Sequence, residues 1–201
     1  MQDKATGRYQ NEVDRYVQSI ASGEKIACKY LKKAVKRYLR DLDNPEYDFR
    51  TDAADFVIAI IESTFCHKQG ERLDGTPLTG QPFILEPFEV FITVNLLGFY
   101  YKGTEETRFK EAFIMLARKN GKTLFAAAIA EYCTFLDGEY GGRIYFAAPK
   151  LEQAALCFEA YHQMILQEPE LDAMAQKRRT DIYIAQNNTT AKPLAFSAKK
   201  S

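Results

Sequence analysis

The chain has 201 residues, 46% of them hydrophobic and 13% aromatic, which places it among ordinary globular proteins and excludes a disordered one. Its 27 basic and 27 acidic side chains cancel, so no global basic field advertises nucleic acid, and any DNA binding has to come from a local patch. Cys28, Cys66, Cys133 and Cys157 lie far apart with only His67 and His162 beside them, a spacing that makes no zinc site and reads as reduced thiols.

Residues 1–10 are polar and read as frayed, with no apolar core of a signal peptide in Met1-Gln2-Asp3-Lys4. Helical periodicity then dominates over 11–22 and 24–42, broken at Ser22-Gly23 and stopped at Asn44-Pro45, since the residue before proline avoids the helix. In the second of these helices Lys29, Lys32, Lys33, Lys36, Arg37 and Arg40 line one side, opposite Tyr30, Leu31, Ala34, Val35, Tyr38 and Leu39. Most such stripes are solvated faces; this one is also the candidate DNA patch. Thr51 or Asp52 caps a third helix to about 68, with Phe56, Val57, Ile60, Ile61 and Phe65 inward. Turn signals fill 70–82, and an apolar fourth helix follows over 86–97 with Pro87 in its first turn. The apolar runs, such as 56–61, are too short to span a bilayer.

From about Thr107 the pattern changes to strand and helix in alternation. Ala112-Phe113-Ile114-Met115-Leu116-Ala117 reads as a strand buried on both faces of a parallel sheet. A loop follows, then a helix to about Leu136, whose opening Leu124-Phe125-Ala126-Ala127-Ala128 is rich in helix formers. A second strand covers 143–148, a helix 151–167, a short helix 170–177, and two strands are expected at 182–185 and 194–198. The fold class expected is α/β: a helical N-terminal region (1–100), then an incomplete α/β core with few strands in a mostly parallel sheet (101–201).

The chemistry sits in the loop Arg118-Lys119-Asn120-Gly121-Lys122-Thr123. A helix starting near Gly121 points unpaired N–H groups and its positive dipole end into that loop, where an anion is stabilised. Lys122 is placed to reach the β/γ-phosphates and the Thr123 hydroxyl to hold Mg²⁺. The full phosphate-loop pattern asks for a glycine where Leu116 stands, so the tripeptide alone is a weak signal and its strand–helix context carries the reading.

This segment resembles the variant Walker A loop of the large terminase subunit of tailed bacteriophages, which often lacks that first glycine and carries an arginine before the lysine. The stretch Arg143-Ile144-Tyr145-Phe146-Ala147-Ala148-Pro149 followed by Glu152-Gln153-Ala154 is similar to the same family, as is the helical lead-in. The resemblance implies a P-loop NTPase core that binds ATP and Mg²⁺, with catalytic roles for Arg118 and Lys122. It implies nucleotide contacts from Lys119, Asn120, Gly121, Lys122 and Thr123, with Thr123 as the metal ligand. The guanidinium of Arg118 would act in cis on the transferred phosphoryl group, since it stays charged and can bond two oxygens at once. On the adenine side the family places an aromatic residue followed by Gln; here Phe88 is followed by Glu89, and Gln81 is the nearby substitute.

The resemblance further implies double-stranded DNA, a small terminase subunit and a portal as partners, ring oligomers, no membrane, and a host-cytoplasmic location. No apolar strand ending in an acidic pair follows Thr123, so Walker B and the nuclease domain are expected beyond Ser201 and turnover by this chain is expected to be negligible. The alternative is a non-catalytic prophage remnant acting as a protein-interaction module.

Overall fold

The computed structural model describes residues 9–67, 70–72 and 74–196. The chain forms two compact units. One gathers the chain up to Glu62 with Ile84–Ile114; the other gathers Ser63–Phe83 with the chain from Met115 onward. The readings placed on residues 1–8, on 68, on 197–198 and on Lys199-Lys200-Ser201 lie outside the described residues.

The first unit is helical, with α1 (Gln10–Ala21), α2 (Lys29–Leu42), α3 (Thr51–Thr64) and α4 (Pro87–Gly98). Residues 24–28, expected as helix, are not helical: the chain turns at Gly23 (φ 83°) and enters α2 through Cys28 in extended conformation. A short ladder that the alternation does not predict pairs β1 (Tyr47–Phe49) with β2 (Phe99–Tyr101) antiparallel. The core is built around Tyr38, whose ring meets Phe49, Phe91 and Phe99 at centroid distances of 5.9, 5.6 and 5.8 Å, all edge-on. Edge-to-face packing of this kind sets the positive ring edge against the negative face. Its hydroxyl accepts a bond from Gln10 Nε2 at 3.1 Å, and burial pushes its pKa up to about 12. The entrance to α4 is fixed by a capping box in which Glu86 N–H donates to Glu89 at 3.0 Å.

Beside this core the buried carboxylate of Asp41 pairs with three guanidinium groups, those of Arg37 (3.6 Å), Arg40 (3.2 Å) and Arg108. Arg108 in turn lies over the rings of Tyr47 at 4.1 Å and Phe109 at 4.7 Å. One anion thus fixes the end of α2 and the 108–109 segment against each other.

The second unit carries the α/β part: α5 (Lys122–Phe135), β3 (Arg143–Ala148), α6 (Leu151–Gln167), α7 (Pro169–Met174), β4 (Ala175–Lys177), β5 (Ile182–Ile184) and β6 (Thr189–Ala195). The four strands lie in the order β3-β6-β5-β4. The α/β class therefore holds, but the sheet is mixed: β3 and β6 are parallel, whereas β5 runs antiparallel to both β4 and β6. The reason is connection length. The 185–188 link is a tight turn with Asn188 at φ 55°, which can only reverse the chain, while β3 reaches β6 after a long excursion. Helices α5 and α6 pack on each other, and α6 lies against β3 and β6.

The expected strand over 112–117 is not formed. The segment is irregular, and Phe113, Ile114 and Met115 are exposed (88, 38 and 79%). Its apolar residues suit a buried strand, but its backbone joins no ladder among the described residues. Sequence reports the need for burial, whereas a strand also requires a neighbour to take its N–H and C=O groups. Among the described residues no helix is long and apolar enough to cross a membrane.

Asp41→Asn should destabilise the chain by about 3–5 kcal/mol in denaturant unfolding, because Arg108 and Arg37 would be left without their counter-charge. A loss below about 1 kcal/mol would show that the cluster holds nothing in place.

Candidate functional site

The loop 118–121 is a tight turn that runs directly into α5. Its backbone alternates in hand: φ is positive at Lys119 (67°) and Gly121 (69°), and at none of Arg118, Asn120 and Lys122. Alternation of this kind turns successive N–H groups toward one side and shapes an anion-binding concavity. The N–H groups of Lys119, Asn120 and Gly121 donate to no backbone carbonyl among the described residues. Gly121 caps α5 with no side-chain bond, so the first-turn donors of the helix are left for another acceptor. A lysine held at positive φ is a local strain of about 1–2 kcal/mol, of the kind that persists where a loop is shaped for binding.

Two side chains brace this turn from below. The Lys122 ammonium donates to Leu116 O at 2.9 Å and Ala117 O at 2.7 Å. Asn120 Nδ2 donates to Ala117 O at 3.3 Å and to Arg118 O at 3.4 Å. An ammonium has three donors, so Lys122 keeps one beyond these two bonds. Arg118 and Lys119 are exposed and form no ion pair among the described residues. Thr123 is exposed in the first turn of α5, its carbonyl accepting a weak bond from Cys157 Sγ at 3.7 Å.

The adenine-side candidates are placed differently. Phe88 is half-buried in the first turn of α4. Glu89, in the position where an amide is expected, is buried and occupied by the capping box, and burial raises its pKa to about 7. Gln81 spends both ends of its amide locally, donating to Pro77 O at 2.9 Å and accepting from Arg72 Nη2 at 3.0 Å.

One residue is absent from the sequence-based candidates. Glu131 lies on α5 and is 1% exposed, and neither carboxyl oxygen has a hydrogen-bond partner among the described residues. Burial pushes its pKa from 4.5 to about 9, so the group is held neutral near pH 7. A signal for it exists: Glu131 falls three and four residues after Ala128 and Ala127, on the buried face of an otherwise apolar helix. Next to it Tyr161 Oη donates to Thr134 Oγ1 at 3.1 Å, and Asn187 Nδ2 donates to Thr134 O at 2.6 Å, which ties the end of α5 to α6 and to the β5–β6 turn.

A helix whose N-terminus opens from a strained, amide-rich turn, beside a parallel strand pair, is the build of a phosphate-binding α/β domain. Residues 87–199 match the family model of the terminase large subunit, ATPase domain, more than half of the chain, and the chain belongs to that family. Among solved structures, the crystal structure of the HK97 bacteriophage large terminase is similar, with a TM-score of 0.58 and 24% identity over 74% of this chain and 28% of that one. That likeness supports the fold, and the chain spans 28% of the length of that relative. No curated protein matches.

Because the folded chain keeps the Glu131 proton that the unfolded chain releases above about pH 4.5, stability should fall as pH rises from there toward about 9. Thermal melts at about pH 5 and about pH 8.5 should show a larger drop for the wild type than for Glu131→Gln. Equal drops would mean that the carboxyl is solvated or paired.

Proposed function

We propose that this chain is the ATP-binding part of a phage DNA-packaging motor, with the nucleotide's phosphates seated on the 119–123 turn. The observation that carries this reading is the alternating backbone at Lys119 and Gly121, which leaves amides without carbonyl partners at the start of α5. These amides and the α5 dipole would hold the phosphate charge, and Lys122 would offer its remaining donor to the β/γ-oxygens. Arg118, exposed and paired with no carboxylate among the described residues, would extend over the γ-phosphoryl oxygens. Lys119 and Asn120 would complete the rim. Gln81 is proposed to meet the edge of the base through the amide hydrogen and lone pair that its local bonds leave over.

For Mg²⁺ the residues present fit a site in which phosphate supplies most of the ligands. The Thr123 hydroxyl is exposed and has no hydrogen-bond partner among the described residues, and no acidic or His/Cys cluster among them could hold a metal alone. When held by the Thr123 hydroxyl together with the nucleotide, the ion would supply positive charge that offsets that of the phosphates. Coupling to movement of double-stranded DNA, the small subunit, portal and ring as partners, and host-cytoplasmic action all rest on family membership. Turnover by these 201 residues alone is proposed to be negligible.

Calorimetric titration with Mg·ADP and Mg·ATP should give binding heat that Lys122→Ala weakens about 10- to 100-fold, the loss of a charge-assisted bond. Arg118→Ala should weaken ATP while leaving ADP within about twofold. Absence of heat with both nucleotides would favour the protein-interaction reading instead.

A further inference from the structure

The outer face of α2 carries Lys29, Lys32, Lys33, Lys36 and Arg40, all exposed. Among the described residues none of the four lysines forms a salt bridge. The one acid within α2 is Asp41, whose side chain is 1% exposed and turned inward to Arg37 and Arg108, while Arg40 keeps 70% of its surface in solvent. Glu24 precedes the stripe and Asp43 caps its end, so no carboxylate interrupts it.

The stripe works against its own helix. Lys29–Lys33, Lys32–Lys36, Lys33–Arg37 and Lys36–Arg40 are four like-charged pairs at i,i+4, each destabilising. Three of the lysines crowd the N-terminal part, where the dipole favours anions, and the first turn holds no acid. A solvated face gains nothing from such an arrangement; mixed signs would serve it better. A polyanion removes both penalties at once.

We infer that α2 is a docking surface for the phosphate backbone of double-stranded nucleic acid, read without regard to sequence. Lys29 to Arg40 spans about 16 Å along the helix axis, the axial rise of about five phosphates on one strand. A membrane surface fits less well, because insertion needs a broad free apolar face, and on α2 the middle of that face is buried at Val35 and Tyr38, which leaves only the flanking Tyr30 and Leu39 exposed. The inference takes its choice of duplex from the packaging reading; its charge pattern is independent of the 118–123 loop.

The test is fluorescence anisotropy with a labelled duplex of arbitrary sequence over a range of salt concentrations. The triple change Lys32→Gln, Lys33→Gln and Lys36→Gln should weaken binding at least tenfold at low salt. It should also lower the slope of log K against log salt by about 0.9 for each phosphate no longer neutralised. The same charge change placed elsewhere, Lys102→Gln, Lys110→Gln and Lys150→Gln, should shift affinity by less than about twofold. Arginine at 32, 33 and 36 should retain binding, which separates charge from helix integrity. Lys122→Ala should leave duplex affinity intact, so failure here is distinguishable from failure of the nucleotide reading. Equal losses in the two glutamine triples, no duplex binding by the wild type, or binding to phosphatidylserine vesicles in place of the duplex would each overturn the inference.

Discussion

Between Arg118 and Lys122 the backbone changes hand at every step, and a peptide chain does this only where something holds it there. Gly121 adopts positive φ freely, but Lys119 does not, and its strain is met by the ties beneath the turn. Lys122 and Asn120 gather the carbonyls of Leu116, Ala117 and Arg118, so that the C=O groups are satisfied below while amides are left above. With the Leu116, Ala117 and Arg118 carbonyls bonded and the Lys119, Asn120 and Gly121 amides donating to no carbonyl among the described residues, the turn is polarised toward anions before any ligand arrives. On the proposed reading this is preorganisation: little backbone would have to be ordered for a nucleotide's phosphates to bind.

What keeps that turn in register is the second unit's packing. Helix α5 presents Phe125, Ala127 and Ala128 inward, small enough at the two alanines to let α6 come close, and is anchored at its far end through Thr134. Glu131 sits on the same inward face as a neutral acid. An apolar residue there would avoid the desolvation of a carboxyl, so its presence marks a position where stability depends on protonation. In the first unit the corresponding electrostatic element is Asp41, where three cations share one buried anion. The two devices are opposite in kind, a neutralised acid and an over-compensated one.

Much of this is legible in the sequence. The helix starts at Thr51, Pro87, Lys122 and Leu151, and the strand at 143–148, fall where capping, proline and periodicity put them, because each is decided within a few residues. What fails is decided at long range. The apolar 112–117 segment reads as a buried strand, yet pairing requires a neighbour that local pattern does not reveal. The β1–β2 ladder joins residues about fifty apart, and the antiparallel turn at 185–188 hides behind polar residues that look like a plain loop. In the loop itself, the identity of the residues carries the chemistry, but the hand of the backbone at Lys119 and the use of the Lys122 amine as a brace emerge only in three dimensions. Glu131 is visible in the sequence as a charge on an apolar face, but its lack of a hydrogen-bond partner among the described residues is not.

The central claim is that the 119–123 amides form an anion seat, and amide-resolved NMR titration with Mg·ADP addresses it most directly. Such a seat predicts saturable shifts confined mainly to Lys119, Asn120, Gly121, Lys122 and Thr123, absent when Mg²⁺ is added without nucleotide. Saturable shifts elsewhere with these five amides unmoved would contradict it.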